Sequence, residues 1–126
     1  MNISQEQFEQ WVAEAIDSLP EKYLNNIYNV AFIVEDYPTS AQHKKSKLDK
    51  GHVLYGLYEG YHQSGRRTNG LIMPDRITIF RRAIVNQCST EQEVKDQIFS
   101  TVMHEIAHHF GSDEKGARNA SKNKAG

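Results

Sequence analysis

Cysteine is nearly absent: Cys88 stands alone in 126 residues. No internal disulfide can form, and no thiolate cluster can hold a metal. A single thiol fits a reducing compartment, so a cytoplasmic location is expected, and Cys88 reads as a small buried apolar side chain. Long apolar runs are missing as well. No stretch approaches the roughly 20 apolar residues that span a bilayer. The opening "MNISQEQFEQWV" has no basic segment followed by an apolar run, so neither a signal peptide nor a membrane partner is expected. An excess of one charge is also lacking. The net charge of −1 provides no global field toward nucleic acid or anionic lipid.

Hydrophobic residues at 38% and charged residues at 25% are the balance of a soluble globular chain. The length accommodates one core but not two, so residues 1–126 are expected to form a single domain. Ser4 to Leu19 reads as an amphipathic helix: Phe8, Trp11, Val12, Ala15, Ile16 and Leu19 recur at spacings of three and four. Ser4 can cap its start and Pro20 marks its end. "PEKYLNN" reads as a helical turn and "IYNVAFIVEDYP" as a strand closed by Pro38. The polar, lysine-rich "TSAQHKKSKLDKG" from Thr39 to Gly51 reads as an exposed loop. "HVLYGLYEGYHQS" reads as a second strand, in which Gly56 and Gly60 point to a bulge or a close backbone approach. Gly65, Asn69 and Gly70 signal a turn. "RITIFRRAIV" alternates as a third strand, although Phe80 shares a side with Arg76 and Thr78.

Thr90 to Gly111 is the longest periodic segment. "TEQE" forms a capping box through Thr90 and Glu93, and Gly111 stands where a helix often stops. Beyond it the chain turns small, polar and basic, and residues from about 115 to 126 read as a flexible tail.

Within that helix lies "HEIAHHFGSDE", residues 104–114. A helix advances about 100° per residue, so His104 and His108 point the same way and can both reach one Zn²⁺. With His104 at zero, Phe99, Val102, Met103, Ile106 and Phe110 fall between about 160° and 260°, which gives the helix an apolar back. Glu105, at about 100°, flanks the metal and can act as general base toward a water that the metal activates. His-Glu-x-x-His therefore combines two ligands and a base in one helical turn. A catalytic zinc usually takes three protein ligands and keeps a fourth position open. By spacing, Glu114 is preferred as the third ligand, with Asp113 as the alternative. His109 projects at about 140°, which suits a supporting or structural duty better than ligation. His43, His52 and His62 stand singly in loop or strand contexts.

The extended pattern His104-Glu105-x-x-His108-x-x-Gly111-x-x-Glu114, with "LYGLYEG" (54–60), "MPDRITIFRR" (73–82) and "VMHEIAHHFG" (102–111), resembles the small bacterial zincin-like metallopeptidases across roughly residues 5 to 118. The resemblance implies an α+β domain with a minimal zincin-like fold: a small mixed β-sheet packed against an N-terminal helix and a C-terminal HExxH helix. It also implies one Zn²⁺ and a peptidase activity on a peptide or protein substrate. That family more often carries Asp at the last ligand place, where Glu114 stands here. Metzincins place a methionine turn downstream of their motif. Here Met1, Met73 and Met103 all precede Gly111.

With only 15 residues beyond Gly111, substrate is expected to lie across an open groove and to bind by strand addition to a sheet edge. "RITIFRR" is the candidate edge, its arginines deterring unwanted pairing. Tyr55, Tyr58 and Tyr61 are candidates for oxyanion stabilisation, against a plainer reading as packing. Two other functions compete with a zinc peptidase. One is a non-catalytic binding domain stapled by zinc, which would need a fourth protein ligand such as Asp113 or His43. The other is a metal-dependent RNA-processing factor, whose motif lacks a glutamate directly after the first histidine. Glu105 and the near-neutral charge argue against nucleic acid as a partner.

Overall fold

A computed structural model describes residues 1–46, 52–60, 67–68, 71–72 and 74–113. The first helix, α1 (Gln5–Asp17), begins where Ser4 Oγ accepts the Gln7 N–H at 3.1 Å. Its stripe of Phe8, Trp11, Val12 and Ala15 is buried, as the three-and-four spacing requires. A single turn, α2 (Glu21–Leu24), follows Pro20 and leads into β1 (Val30–Glu35).

The lysine-rich stretch after Pro38 departs from the expected loop, because residues Ser40–Ser46 form a helix, α3. Its start is a reciprocal cap: Thr39 Oγ1 accepts the Gln42 N–H at 3.0 Å, and Gln42 Oε1 accepts the Thr39 N–H at 2.9 Å. Thr-x-x-Gln is a capping box, and it overrides the polar composition. No residue of α3 is buried, so the exposed character of the segment stands.

Strand β2 (Gly56–Glu59) precedes a short antiparallel pair, β3 (Arg67–Thr68) and β4 (Leu71–Ile72), that brackets the expected turn. Gly65, Asn69 and Gly70 lie outside the described residues. Strand β5 (Asp75–Phe80) ends sooner than the pattern predicts, and Arg81–Val85 form a short helix, α4. The last helix described is α5 (Glu91–Asp113). Thr90 Oγ1 accepts the Glu93 N–H at 3.1 Å, while Glu93 Oε1 reaches one residue further back than expected, to the Ser89 N–H at 2.7 Å.

Three strands form the main sheet in the order β1-β5-β2, with β1 parallel and β2 antiparallel to β5. The strand "RITIF" is therefore the centre of the sheet and not its edge. The arginines that read as guards against edge pairing have other duties. Arg76 lies 3.3 Å from Glu35, Arg81 and Arg82 have moved into α4, and both meet Asp36 at the end of β1. Burial on both sides explains the imperfect alternation of β5. Ile77 and Ile79 join the principal core with α1 and α5, whereas Phe80 belongs to a smaller cluster with Leu54, Leu57 and Ala83. The chain is thus an α+β fold in which α1 and α5 pack together against one face of a small mixed sheet.

Candidate active site

Two stripes run down the buried part of α5. Val94, Ile98, Val102 and Ile106, each four residues after the last, are fully buried in the principal core. Phe99, expected on that side, is 38% exposed. Beside the apolar stripe runs a polar one: Thr101, Glu105 and His109 are also four apart and also buried. The helix can bring this polar stripe close to β2 because Gly56 has no side chain. A Cβ there would lie 2.6 Å from Thr101 Cγ2, 3.2 Å from the Thr78 carbonyl oxygen and 3.3 Å from Glu105 Cγ. The close approach read from the glycine in the sequence is real, and its partner is the motif helix.

Glu105 is only 5% exposed. Burial pushes its carboxyl up to about 7, while a hydrogen bond from the Tyr58 backbone N–H pulls the other way. A carboxylate in water titrates near 4.3, so the structure turns Glu105 into a base that exchanges its proton near neutrality. The donating N–H belongs to the outer side of the sheet edge. Phe80 N–H donates to the Tyr55 carbonyl at 2.9 Å, which makes Tyr55 and then Leu57 the hydrogen-bonded positions facing β5. Gly56 and Tyr58 alternate with them and turn their main-chain groups outward.

His104 and His108 sit one turn apart on the next face, with ring centroids 4.5 Å apart. The His108 side chain is 44% exposed and its Nδ1 lies 3.7 Å from Glu105 Oε1. Burial, and secondarily the charge of His104, holds the His108 imidazole below its ordinary value. It is therefore neutral near pH 7, the form in which imidazole binds a metal. Two imidazoles one turn apart are donors that suit zinc. Among the described residues no group of three His, Cys, Asp or Glu side chains converges on one point. Of the candidate third ligands, Glu114 and the side chain of Asp113 lie outside the described residues.

Gly111 does not end the helix, which continues to Asp113. Glycine disfavours a helix interior by only about 1 kcal/mol against alanine. The last turn is held from outside by Phe110, whose ring packs 5.4 Å from that of Tyr23, and by His109, whose Nδ1 lies 2.8 Å from Asp75 Oδ2. Asp75 is the polar residue that the sequence reading missed. It follows Pro74 and reads as part of a turn, yet it is fully buried at the head of β5. Tyr58 donates its hydroxyl to the same Oδ2 at 2.6 Å. Its phenol is thus committed to a carboxylate, which removes it as an oxyanion donor in this arrangement. Tyr55 packs against both apolar clusters, and Tyr61 and His62 lie outside the described residues. His43 and His52 are not brought to the motif helix. The His43 Nε2 lies 3.1 Å from the His52 carbonyl oxygen, and both line a cavity of about 240 Å³ that contains no residue of α5.

No helix among the described residues is long and apolar enough to cross a membrane. No curated protein matches the chain. Among solved structures, a conserved hypothetical protein from Thermus thermophilus is similar in fold, with a TM-score of 0.59 and 18% identity over 86% of this chain and 95% of the other. A small mixed sheet backed by one long motif-bearing helix defines the class: a minimal zincin-like α+β fold. The chain belongs to the zincin-like metallopeptidases, whose family model matches residues 27–121.

Proposed function

We propose that this protein is a zinc-dependent peptidase in which His104 and His108 hold the metal, Glu114 (or Asp113) completes the protein ligands, and Glu105 is the general base. The observation that carries this reading is the contrast within one helical turn. Two imidazoles share a face with their centroids 4.5 Å apart, and between them in sequence stands a buried carboxylate whose pKa lies at about 7. Zinc, when bound, supplies Lewis acidity for the scissile carbonyl and for the attacking water.

Glu105 takes the proton from that water and returns it to the leaving nitrogen, a transfer that is efficient when the base titrates near the working pH. The Tyr58 N–H holds the carboxylate at the sheet edge. An extended peptide is bound by strand addition along β2, where the main-chain groups of Gly56 and the carbonyl of Tyr58 face outward while the Tyr58 N–H stays with Glu105. This replaces β5, the edge expected from sequence, with the strand that lies against α5.

The substrate is a peptide or unstructured protein, and the protein works in the cytoplasm without a nucleic-acid partner. A purely structural zinc site would need a fourth protein donor. Of the two candidates named for that place, His43 is engaged elsewhere, and the side chain of Asp113 lies outside the described residues. The test is zinc content and cleavage of dye-labelled casein by the full chain. One zinc per chain is expected, lost in His104→Ala and in His108→Ala. Cleavage is expected to vanish in Glu105→Gln while zinc stays bound. Cleavage that persists in Glu105→Gln excludes the mechanism.

A further inference from the structure

Asp75 is fully buried at the first position of the central strand. A carboxylate in such a place is costly unless donors surround it. Two of its donors come from different elements, and neither is near it in sequence. The Tyr58 hydroxyl arrives from β2 at 2.6 Å and the His109 Nδ1 from α5 at 2.8 Å, both at Oδ2. The phenol donates, and the Nδ1–H form of the imidazole donates beside it. The Tyr58 ring meets the His109 ring edge-on with centroids 6.0 Å apart, and meets His108 in the same manner at 6.4 Å. His109 lies one turn beyond Glu105 on the same stripe, and Glu105 accepts the Tyr58 backbone N–H. One tyrosine therefore touches the general-base candidate through its main chain, His108 through its ring and the buried carboxylate through its hydroxyl.

We propose that Asp75 is a positioning residue: by holding the His109 imidazole and the Tyr58 hydroxyl on one buried oxygen, it fixes the turn of α5 that carries Glu105 and His108 against strand β2. It touches neither metal nor substrate. Its action is confined to the polar stripe, because Val94, Ile98 and Val102 are secured independently by the principal core. That restriction separates a positioning role from a general contribution to stability, which would loosen the helix along its whole length.

The experiment is amide hydrogen exchange on the full, metal-free chain, comparing the wild type with Asp75→Asn, which keeps the shape of the side chain and removes its charge. Amides of residues 104–110 should exchange about tenfold faster, while those of 94–102 should stay within about twofold of wild type. Uniform acceleration along α5, or none, overturns the proposal. Should Asp75→Asn fail to fold, Tyr58→Phe, which removes a single hydroxyl, decides the matter. The same local pattern at about threefold supports the proposal, and a uniform or absent change overturns it.

A second arm rests on the proposed function and uses zinc alone, titrated against a chromophoric chelator. Asp75→Asn should bind about tenfold more weakly, the low end of what losing an outer support costs a metal site, because the turn that carries His108 is no longer fixed, and affinity equal to wild type overturns the proposal. If the wild type takes up no zinc, the peptidase reading fails, and the exchange pattern alone judges Asp75.

Discussion

Val94, Ile98, Val102 and Ile106 descend one side of α5, while Thr101, Glu105 and His109 descend the side next to it. Both stripes are buried and both repeat every four residues, yet the forces that hold them differ. The apolar stripe gains roughly 1.5–3 kcal/mol for each side chain taken out of water, with no demand on direction. The polar stripe gains little from burial and must be matched atom by atom: Gln97 Nε2 donates to Thr101 Oγ1 at 3.1 Å, Tyr58 N–H to Glu105, and Asp75 meets His109. The first stripe decides that the helix docks. The second decides where, to within a hydrogen bond, and leaves Glu105 with a proton affinity that no exposed glutamate has. Chemistry and stability are therefore separable on one helix, and substitutions can pull them apart.

The largest effect should come from Glu105→Gln. Cleavage of labelled casein by the zinc-loaded protein is expected to fall by about 10² to 10⁴-fold, the usual contribution of a general base, with the fold intact by circular dichroism. Ile98→Ala should do the reverse. A loss of about 2–5 kcal/mol in urea unfolding is expected from the cavity it leaves, with specific activity of the folded fraction retained. If Ile98→Ala and Glu105→Gln behaved alike in both assays, the two stripes would not be distinct.

The pH dependence of stability probes the same contrast. Glu105 titrates at about 7 in the folded chain and near 4.3 when unfolded. Between those values the folded state holds the extra proton, so stability falls as pH rises through that window. The loss amounts to about 4 kcal/mol by the standard conversion of pKa into free energy. His108 works in the opposite sense. Its lowered pKa makes stability fall as pH drops below the ordinary imidazole value. Melting of the metal-free wild type minus that of Glu105→Gln isolates the glutamate, and the difference should favour the variant increasingly from about pH 5 to about pH 8. A flat difference would remove burial as the cause of the raised pKa.

The smallest effect is expected at Gly56→Ala. Its methyl would collide with Thr101 Cγ2 and press on the Thr78 carbonyl, and overpacking of this kind costs about 1–3 kcal/mol. Because the same methyl would sit 3.3 Å from Glu105 Cγ, cleavage should drop more than stability does. Equal losses would place Gly56 in the general packing and not at the polar stripe.

Much of this was readable in advance where a single residue type forces a local outcome. The spacing of Phe8, Trp11, Val12 and Ala15 could only be a buried helix face, and Gly56 announced a close approach without naming its partner. What escaped was whatever depends on a neighbour distant in sequence. Arg76 in an alternating strand looks like an edge residue until Glu35, 41 positions earlier, is seen beside it. Asp75 after a proline looks like a turn, and only the arrival of Tyr58 and His109 makes its burial tolerable. Gly111 carried a stop signal in its own conformational freedom, which Phe110 against Tyr23 and His109 against Asp75 overrule. The α3 cap is a different case. Thr39 and Gln42 form a purely local signal that the neighbouring lysines obscured.

The packing of α1 against α5 has a consequence for synthesis on the ribosome. Phe8, Trp11 and Val12 emerge early, but the helix that buries them follows every described strand and carries His104, His108 and Glu105 as well. A nascent chain paused before α5 leaves those side chains open to chaperones and holds neither His104, His108 nor Glu105. Docking of α5 then closes the principal core and delivers the motif residues to the sheet in one step.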